Sequence, residues 1–140
     1  VTSSDQAPPA PALTDAAVPF LTEYRLATLT TLLADGSPHV VPVGFTYDAE
    51  ATPPRVRIIT NRTSQKVLNV RRDARASVCQ FEGAAWLTFS GPAVVLDDPD
   101  AVADAVARYA ARYRQPRENP LRVVIEIEVT KTMGSSGLLA

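Results

Sequence analysis

Residues 25–48, RLATLTTLLADGSPHVVPVGFTYD, decide the fold class. The run RLATLTTL (25–32) is β-branched and leucine-rich, and Asp35-Gly36 within ADGSP (34–38) is a strong hairpin-turn signal. HVVPVGFTYD (39–48) then reads as the return strand. Pro42 inside it has no N–H to donate, so one side of this segment is expected to be unpaired or bulged. Gly44 lacks a side chain and leaves its backbone open to close approach.

The same grammar continues outward. EATPP (50–54) is a loop and RVRIIT (55–60) a third strand. Thr63 or Ser64 caps a short helix that runs to about Arg72. RASVCQF (75–81), a turn at Glu82-Gly83 and AWLTFSGPAVVL (85–96) form a second hairpin, with a bulge or bend at Gly91-Pro92. Asp98-Pro99 starts a helix, a capping acid followed by proline at the first helical position. Val102, Val106, Tyr109 and Tyr113 lie on one face of it, and Pro116 and Pro120 end it. LRVVIEIEVTK (121–131) is the last strand, with Val123, Ile125, Ile127 and Val129 on one face. Before all of these, Thr14 caps a short helix to about Tyr24, with Val18, Leu21 and Ala17 expected inward. Residues 1–13, rich in Pro, Ala and Ser, read as a flexible arm, and 14–140 as a single domain. Six hairpin-connected strands and three helices imply a mainly β (α+β) chain. An antiparallel barrel plugged or flanked by helices is its natural closure.

Composition excludes several function classes. The chain has 140 residues, 46% apolar and 21% charged, with a net charge of -1. That balance does not suit a nucleic-acid or membrane-surface binder, which carries a strong basic bias. The single cysteine, Cys79, and the single histidine, His39, exclude an internal disulfide and a His- or Cys-rich metal site. No metal ligands are assigned: the acids of DDPD (97–100) are explained by helix capping. No apolar run reaches the ~18–20 residues needed to span a bilayer. The start lacks the basic and apolar regions of a secretion signal, so the cytoplasm is the expected compartment. No nucleophile or zinc motif is present, so in an enzyme the difficult chemistry falls to a cofactor.

Four features carry candidate chemistry. In RIITNRTSQKVLN (57–69) a strand end enters a helix start, and one of the chain's two lysines sits there. Exposed N–H groups, the helix dipole, Thr63, Ser64, Gln65 and the Lys66 ammonium suit an anion such as phosphate; a capped surface helix with a solvated lysine is the alternative. HVVPVGF (39–45) offers backbone against which a flat ring can lie, or is simply an edge strand with a proline. Trp86, with Gln80 and Phe81, either walls a ring-shaped ligand or packs the core. Arg108, Arg112, Arg114, Arg117 and Arg122 fall within fifteen residues, either a site for carboxylates and phosphates or a solvated face paired with acids.

Laid in order, the segments 25–45, 57–80, 86–95 and 98–114 resemble the split β-barrel flavin and deazaflavin oxidoreductases, the superfamily that includes pyridoxamine-phosphate oxidase. The resemblance covers about residues 14–139 and is strongest to the actinobacterial branch that uses coenzyme F420. It implies a six-stranded antiparallel split barrel of the FMN-binding type with flanking helices. It also implies a homodimer with two cofactor sites at the interface. On this resemblance the cofactor-binding residues are His39, Val40, Val41, Pro42, Val43, Gly44, Ile59, Thr60, Ser64, Gln65, Lys66, Asn69, Gln80 and Trp86, with Lys66 on the phosphate and Gln80, Phe81 and Trp86 supplied by the partner chain. Arg62, Arg72, Arg112, Arg114 and Arg117 are assigned to the substrate or to the anionic coenzyme tail. The implied reaction is hydride transfer from reduced F420 to biliverdin or a similar conjugated tetrapyrrole. FMN is the alternative cofactor, weakened because FMN-using relatives often place more arginine at the phosphate. A non-catalytic deazaflavin or tetrapyrrole carrier is the alternative to an enzyme. No catalytic residue is singled out; His39 is a weak candidate proton donor.

Overall fold

The computed structural model describes residues 12–140. The expected arm therefore lies outside the described residues up to position 11. Ala12 and Leu13, its last residues, are tied to the chain end: Leu13 bridges Leu139, and Ala140 N–H donates to the Ala12 carbonyl at 2.9 Å.

Eight strands and three helices form among the described residues, not the six strands expected. They are α1 (Ala17–Thr22), β1 (Ala27–Leu32), β2 (Pro38–Val43), β3 (Thr46–Asp48), β4 (Arg55–Asn61), α2 (Gln65–Arg72), β5 (Arg75–Glu82), β6 (Ala85–Leu96), α3 (Pro99–Arg112), β7 (Arg122–Glu128) and β8 (Lys131–Gly134). The two additional strands come from breaking predicted ones. The 39–48 run divides at Gly44-Phe45, and the last strand stops at Glu128 before β8 turns back onto β6. Helix α1 also differs. It starts without a side-chain cap, Thr14 instead donating to the Gly137 carbonyl, and buries Ala17, Phe20 and Leu21 while Val18 is 60% exposed. Spacing of 3 and 4 puts positions 17, 20 and 21 on one face and turns position 18 away.

All named pairings are antiparallel, in the order β2-β1-β5-β6-β7-β4-β3, with β8 added to β6. The sheet is not closed, since β2 and β3 occupy opposite ends of this path. Yet only Gly44 and Phe45 separate β2 from β3. Three Cα–Cα steps span at most about 11 Å, so the two sheet edges lie close together without pairing. That constraint curls the sheet around a core whose largest fully buried members include Phe45, Phe89, Leu29, Ile58, Leu87, Ile125 and Ile127.

Strand β6 makes the curl possible. Its first part pairs β5 and β8, while Ala93–Leu96 pairs β7. The changeover is at Gly91, where an added Cβ would lie 1.8 Å from the Glu128 carbonyl oxygen. Backbone passes backbone there, and no side chain fits. Gly91→Ala is expected to cost about 3 kcal/mol of stability by overpacking, read as a lower urea midpoint at unchanged slope; an unchanged midpoint would show that the crossing can relax.

Candidate functional site

The unpaired edges meet in a groove of about 280 Å³. The end of β2 supplies Pro42, Val43 and Gly44, and the end of β4 supplies Ile59, Thr60 and Asn61. β3 covers only Arg55–Arg57 of β4, so β4 beyond Arg57 keeps a free edge on that side. Lys66 from α2, Tyr109 from α3, Pro116, Asn119 and Arg122 complete the lining.

The turn into α2 is built by Asn61. Its side-chain oxygen accepts from the Thr63 N–H and hydroxyl, each at 3.2 Å, and its carbonyl accepts from Ser64 N–H at 3.0 Å. Ser64 is the N-cap residue, yet its hydroxyl makes no capping bond; it lies 3.3 Å from the Thr60 hydroxyl. Lys66 is half-buried and forms no ion pair or hydrogen bond among the described residues. Burial lowers its pKa below the ordinary 10.5, the signature of an ammonium that has lost water without gaining a counter-charge.

Six predicted site residues thus meet in the groove: Pro42, Val43, Gly44, Ile59, Thr60 and Lys66. The others are placed elsewhere. Gln65 donates to Asn69 at 2.7 Å, and buried Asn69 donates to Thr31 at 3.0 Å. Arg72 donates to Asn69 and to the Leu32 carbonyl, so Asn69 and Arg72 dock α2 on β1 while Gln65 braces Asn69. His39 pairs with Thr31 in register and keeps a buried Nδ1 without a partner. Val41 alternates with 56%-exposed Val40. Arg62 is exposed, and its N–H donates to Leu121. Arg114 and Arg117 border an adjoining cavity of about 410 Å³ that shares Tyr109 and Pro116 with the groove.

Gln80 and Arg112 differ most from expectation. Gln80 is wholly buried and donates to the Phe20 carbonyl. Arg112 is 8% exposed and donates to the Gln80 side chain at 2.6 Å, the Phe45 carbonyl at 2.7 Å and the Glu23 carbonyl at 3.0 Å. A guanidinium stays charged in such a setting, and its donors are occupied by the chain itself. Tyr113 works beside it: its hydroxyl donates to the Arg25 carbonyl at 2.6 Å and accepts from Phe45 N–H at 3.1 Å, and burial raises its pKa above the ordinary 10.0. Trp86 and 64%-exposed Phe81, cross-strand partners, lie away from the groove.

Five lining residues were not among those predicted: Asn61, Tyr109, Pro116, Asn119 and Arg122. Tyr109 was visible only as part of a helix face, and Arg122 only as the last of an arginine run. Gly44 links the two regions, because a Cβ there would lie 3.1 Å from both the Tyr109 and Tyr113 rings. The close approach expected at this glycine is made by α3. Arg112→Met should therefore destabilise the fold by about 3 kcal/mol or more, since each buried acceptor left bare costs about 1–3 kcal/mol. Arg108→Gln, which removes a half-exposed pair with Asp104 at 3.0 Å and a longer one with Asp48 at 3.6 Å, should cost clearly less, about 1 kcal/mol. Equal effects in chemical denaturation would contradict the buried clamp.

The family described as pyridoxamine 5'-phosphate oxidase matches residues 13–134. The F420H(2)-dependent biliverdin reductase of Mycobacterium tuberculosis (strain CDC 1551 / Oshkosh) is 53% identical over 127 residues, covering 91% of each chain. Among solved structures, a conserved hypothetical protein of Mycobacterium tuberculosis superposes with a TM-score of 0.72 at 22% identity, covering 92% of this chain and 88% of the other. A protein described as F420 reductase superposes with a TM-score of 0.65 at 21% identity, covering 81% and 92%. These two likenesses speak for the split-barrel fold alone. A family match across nearly all of the described residues, together with a relative identical at more than half of its aligned positions, means that the chain belongs to the pyridoxamine 5'-phosphate oxidase family.

Proposed function

We propose that this protein is a cytoplasmic, homodimeric coenzyme F420-dependent reductase that transfers a hydride to biliverdin and yields bilirubin. The observation that carries the reading is the groove: two free strand edges beside a half-buried ammonium with no counter-charge. The name of the 53%-identical relative supports the same coenzyme and substrate. Among the described residues no helix is long and apolar enough to cross a membrane.

The residues fit such a ligand. The Pro42–Gly44 and Ile59–Asn61 edges offer backbone to a flat ring, and Lys66 offers a charge to its phosphate stem. When bound, the reduced deazaflavin supplies a hydride from C5, which the methine bridge C10 of the substrate accepts. The chain's contribution is orientation: holding two ring systems at about 3–3.5 Å accounts for much of such a rate. The groove lining contains no carboxylate or imidazole. The proton for the pyrrole nitrogen then comes from water or from a propionate of the substrate.

The dimer reading rests on the outward sheet face. Cross-strand register places Pro42, Thr28, Cys79, Thr88 and Met133 in one row, with Val40, Thr30, Ser77 and Ser90 beside it. The first row contains no charged side chain, the second meets one only at its end, where Ser90 pairs with Lys131, and Val40 and Met133 are exposed. Phe81 and Trp86 extend the same face. Pro42 belongs both to this row and to the groove lining, so a second copy docked here would border the groove.

Titration with reduced F420 and biliverdin, followed by absorbance, tests the function. Loss of the biliverdin band only with reduced coenzyme is expected; a stoichiometric spectral shift without turnover would indicate a carrier. Turnover with reduced FMN in its place would indicate the alternative cofactor. Lys66→Ala should weaken coenzyme binding by about 1.5–3 kcal/mol, the range for hydrogen bonds to charged groups. For assembly, the protein should sediment as a dimer and Thr88→Arg as a monomer with impaired turnover. A fully active wild-type monomer would remove the shared site.

A further inference from the structure

Six basic residues are at least partly withdrawn from solvent: Arg25, Arg55, Arg57, Lys66, Arg112 and Arg122. Four are neutralised within the chain. Arg25 pairs with Glu23 and Glu82, Arg55 with Glu126 and Glu128, and Arg57 with Asp48 and Glu126; Arg112 has its three acceptors. Only Lys66 and Arg122 have neither an acid nor a side-chain hydrogen bond among the described residues, and both line the same groove. A half-buried cation without a partner is unfavourable. An arrangement of this kind is expected where the missing negative charge arrives with a ligand.

Local structure holds Arg122 in place. It is the first residue of β7 and the cross-strand partner of Asn61, the residue that builds the turn toward Lys66. Asn119 organises its approach: the side-chain oxygen accepts from Leu121 N–H at 2.9 Å and the carbonyl from Arg122 N–H at 3.1 Å. The Leu121 carbonyl accepts from Arg62 N–H at 2.9 Å, tying the β7 entry to the α2 turn. Two asparagine-built turns on neighbouring strands thus deliver one cation each to a common groove.

We propose that Arg122 is the second cation of the anion site, binding one phosphate group together with Lys66. The guanidinium supplies a planar fork of donors and the ammonium a mobile point charge, complementary ways of holding a phosphate. Arg114 and Arg117, exposed at the adjoining cavity, lie outside this pair.

The proposal rests on the coenzyme reading of the groove, and the test separates the two. Oxidised F420 is titrated by fluorescence into wild type, Arg122→Gln, Arg122→Lys, Lys66→Gln, the Lys66/Arg122 double variant and Arg71→Gln, an exposed control. Arg122→Gln should raise Kd about tenfold to a hundredfold, the span for hydrogen bonds to a charged group, with Arg122→Lys intermediate and Arg71→Gln unchanged. The double variant should lose less than the product of the single losses. The dependence of Kd on salt should also flatten in Arg122→Gln, which a merely structural role would not produce. A wild-type Kd and salt dependence in Arg122→Gln would overturn the proposal. Pyrophosphate line broadening by phosphorus NMR runs in parallel. If wild type fails to bind F420, the coenzyme reading falls. The paired-cation site then stands only if wild type broadens the pyrophosphate signal and Arg122→Gln does not; otherwise it falls as well.

Discussion

Arg112 sits where three parts of the chain converge. Its donors reach the segment leading into β1 through Glu23, the break between β2 and β3 through Phe45, and β5 through Gln80. Its guanidinium also lies 4.7 Å from the Phe45 ring centroid, within cation–π range. Phe45 is the hinge of the open sheet, the point at which the backbone leaves one edge for the other. A buried charge surrounded by matched acceptors is costly to disturb, so this one contact holds α3 against the hinge and keeps the two edges near each other without pairing.

The groove follows from that constraint. Had the sheet closed, the backbone groups of β2 and the end of β4 would have bonded to one another. Held apart, they line a cavity with unused hydrogen-bonding capacity. Tyr109 and Tyr113, packed against the bare backbone of Gly44, make the wall rigid, and Asn61 and Asn119 order the turns at its mouth. Electrostatics then distinguishes this cavity from the rest of the molecule. Elsewhere partly buried cations meet acids or carbonyls, as in the Arg57–Asp48–Glu126 group on β3, β4 and β7; in the groove two do not.

Local signals were legible where the backbone itself imposes them. The Asp35-Gly36 hairpin, the Asp98-Pro99 helix start and the bend at Gly91 all lie where turn and cap chemistry places them. Asp98 caps α3 by accepting from Ala101 N–H at 3.0 Å. Lys66 stands out because a lone lysine at a strand-to-helix turn has a chemical meaning that does not depend on distant residues. In the sequence Gln65, Asn69 and Gln80 are indistinguishable from ligand groups, because an amide near a predicted site offers the same donors whether it faces a ligand or the interior. In the fold these amides bond within the chain, Gln65 to Asn69, Asn69 to Thr31 and Gln80 to the Phe20 carbonyl, contacts that no local pattern announces.

Sequence by itself determined most of the strand and helix vocabulary, the β1–β2 and β5–β6 hairpins and the strand-to-helix turn before Lys66, because each depends on residues a few positions apart. Tertiary structure decided which cations are neutralised. Arg112 and Arg122 come from the same arginine-rich run, yet one is buried among carbonyls and the other is left without a partner in the groove. That difference depends on residues 32 to 89 positions away from Arg112 and on the register of β7 with β4. Solvation and pairing of a charge are properties of the space around it, and that space exists only once the sheet has curled and stopped short of closing.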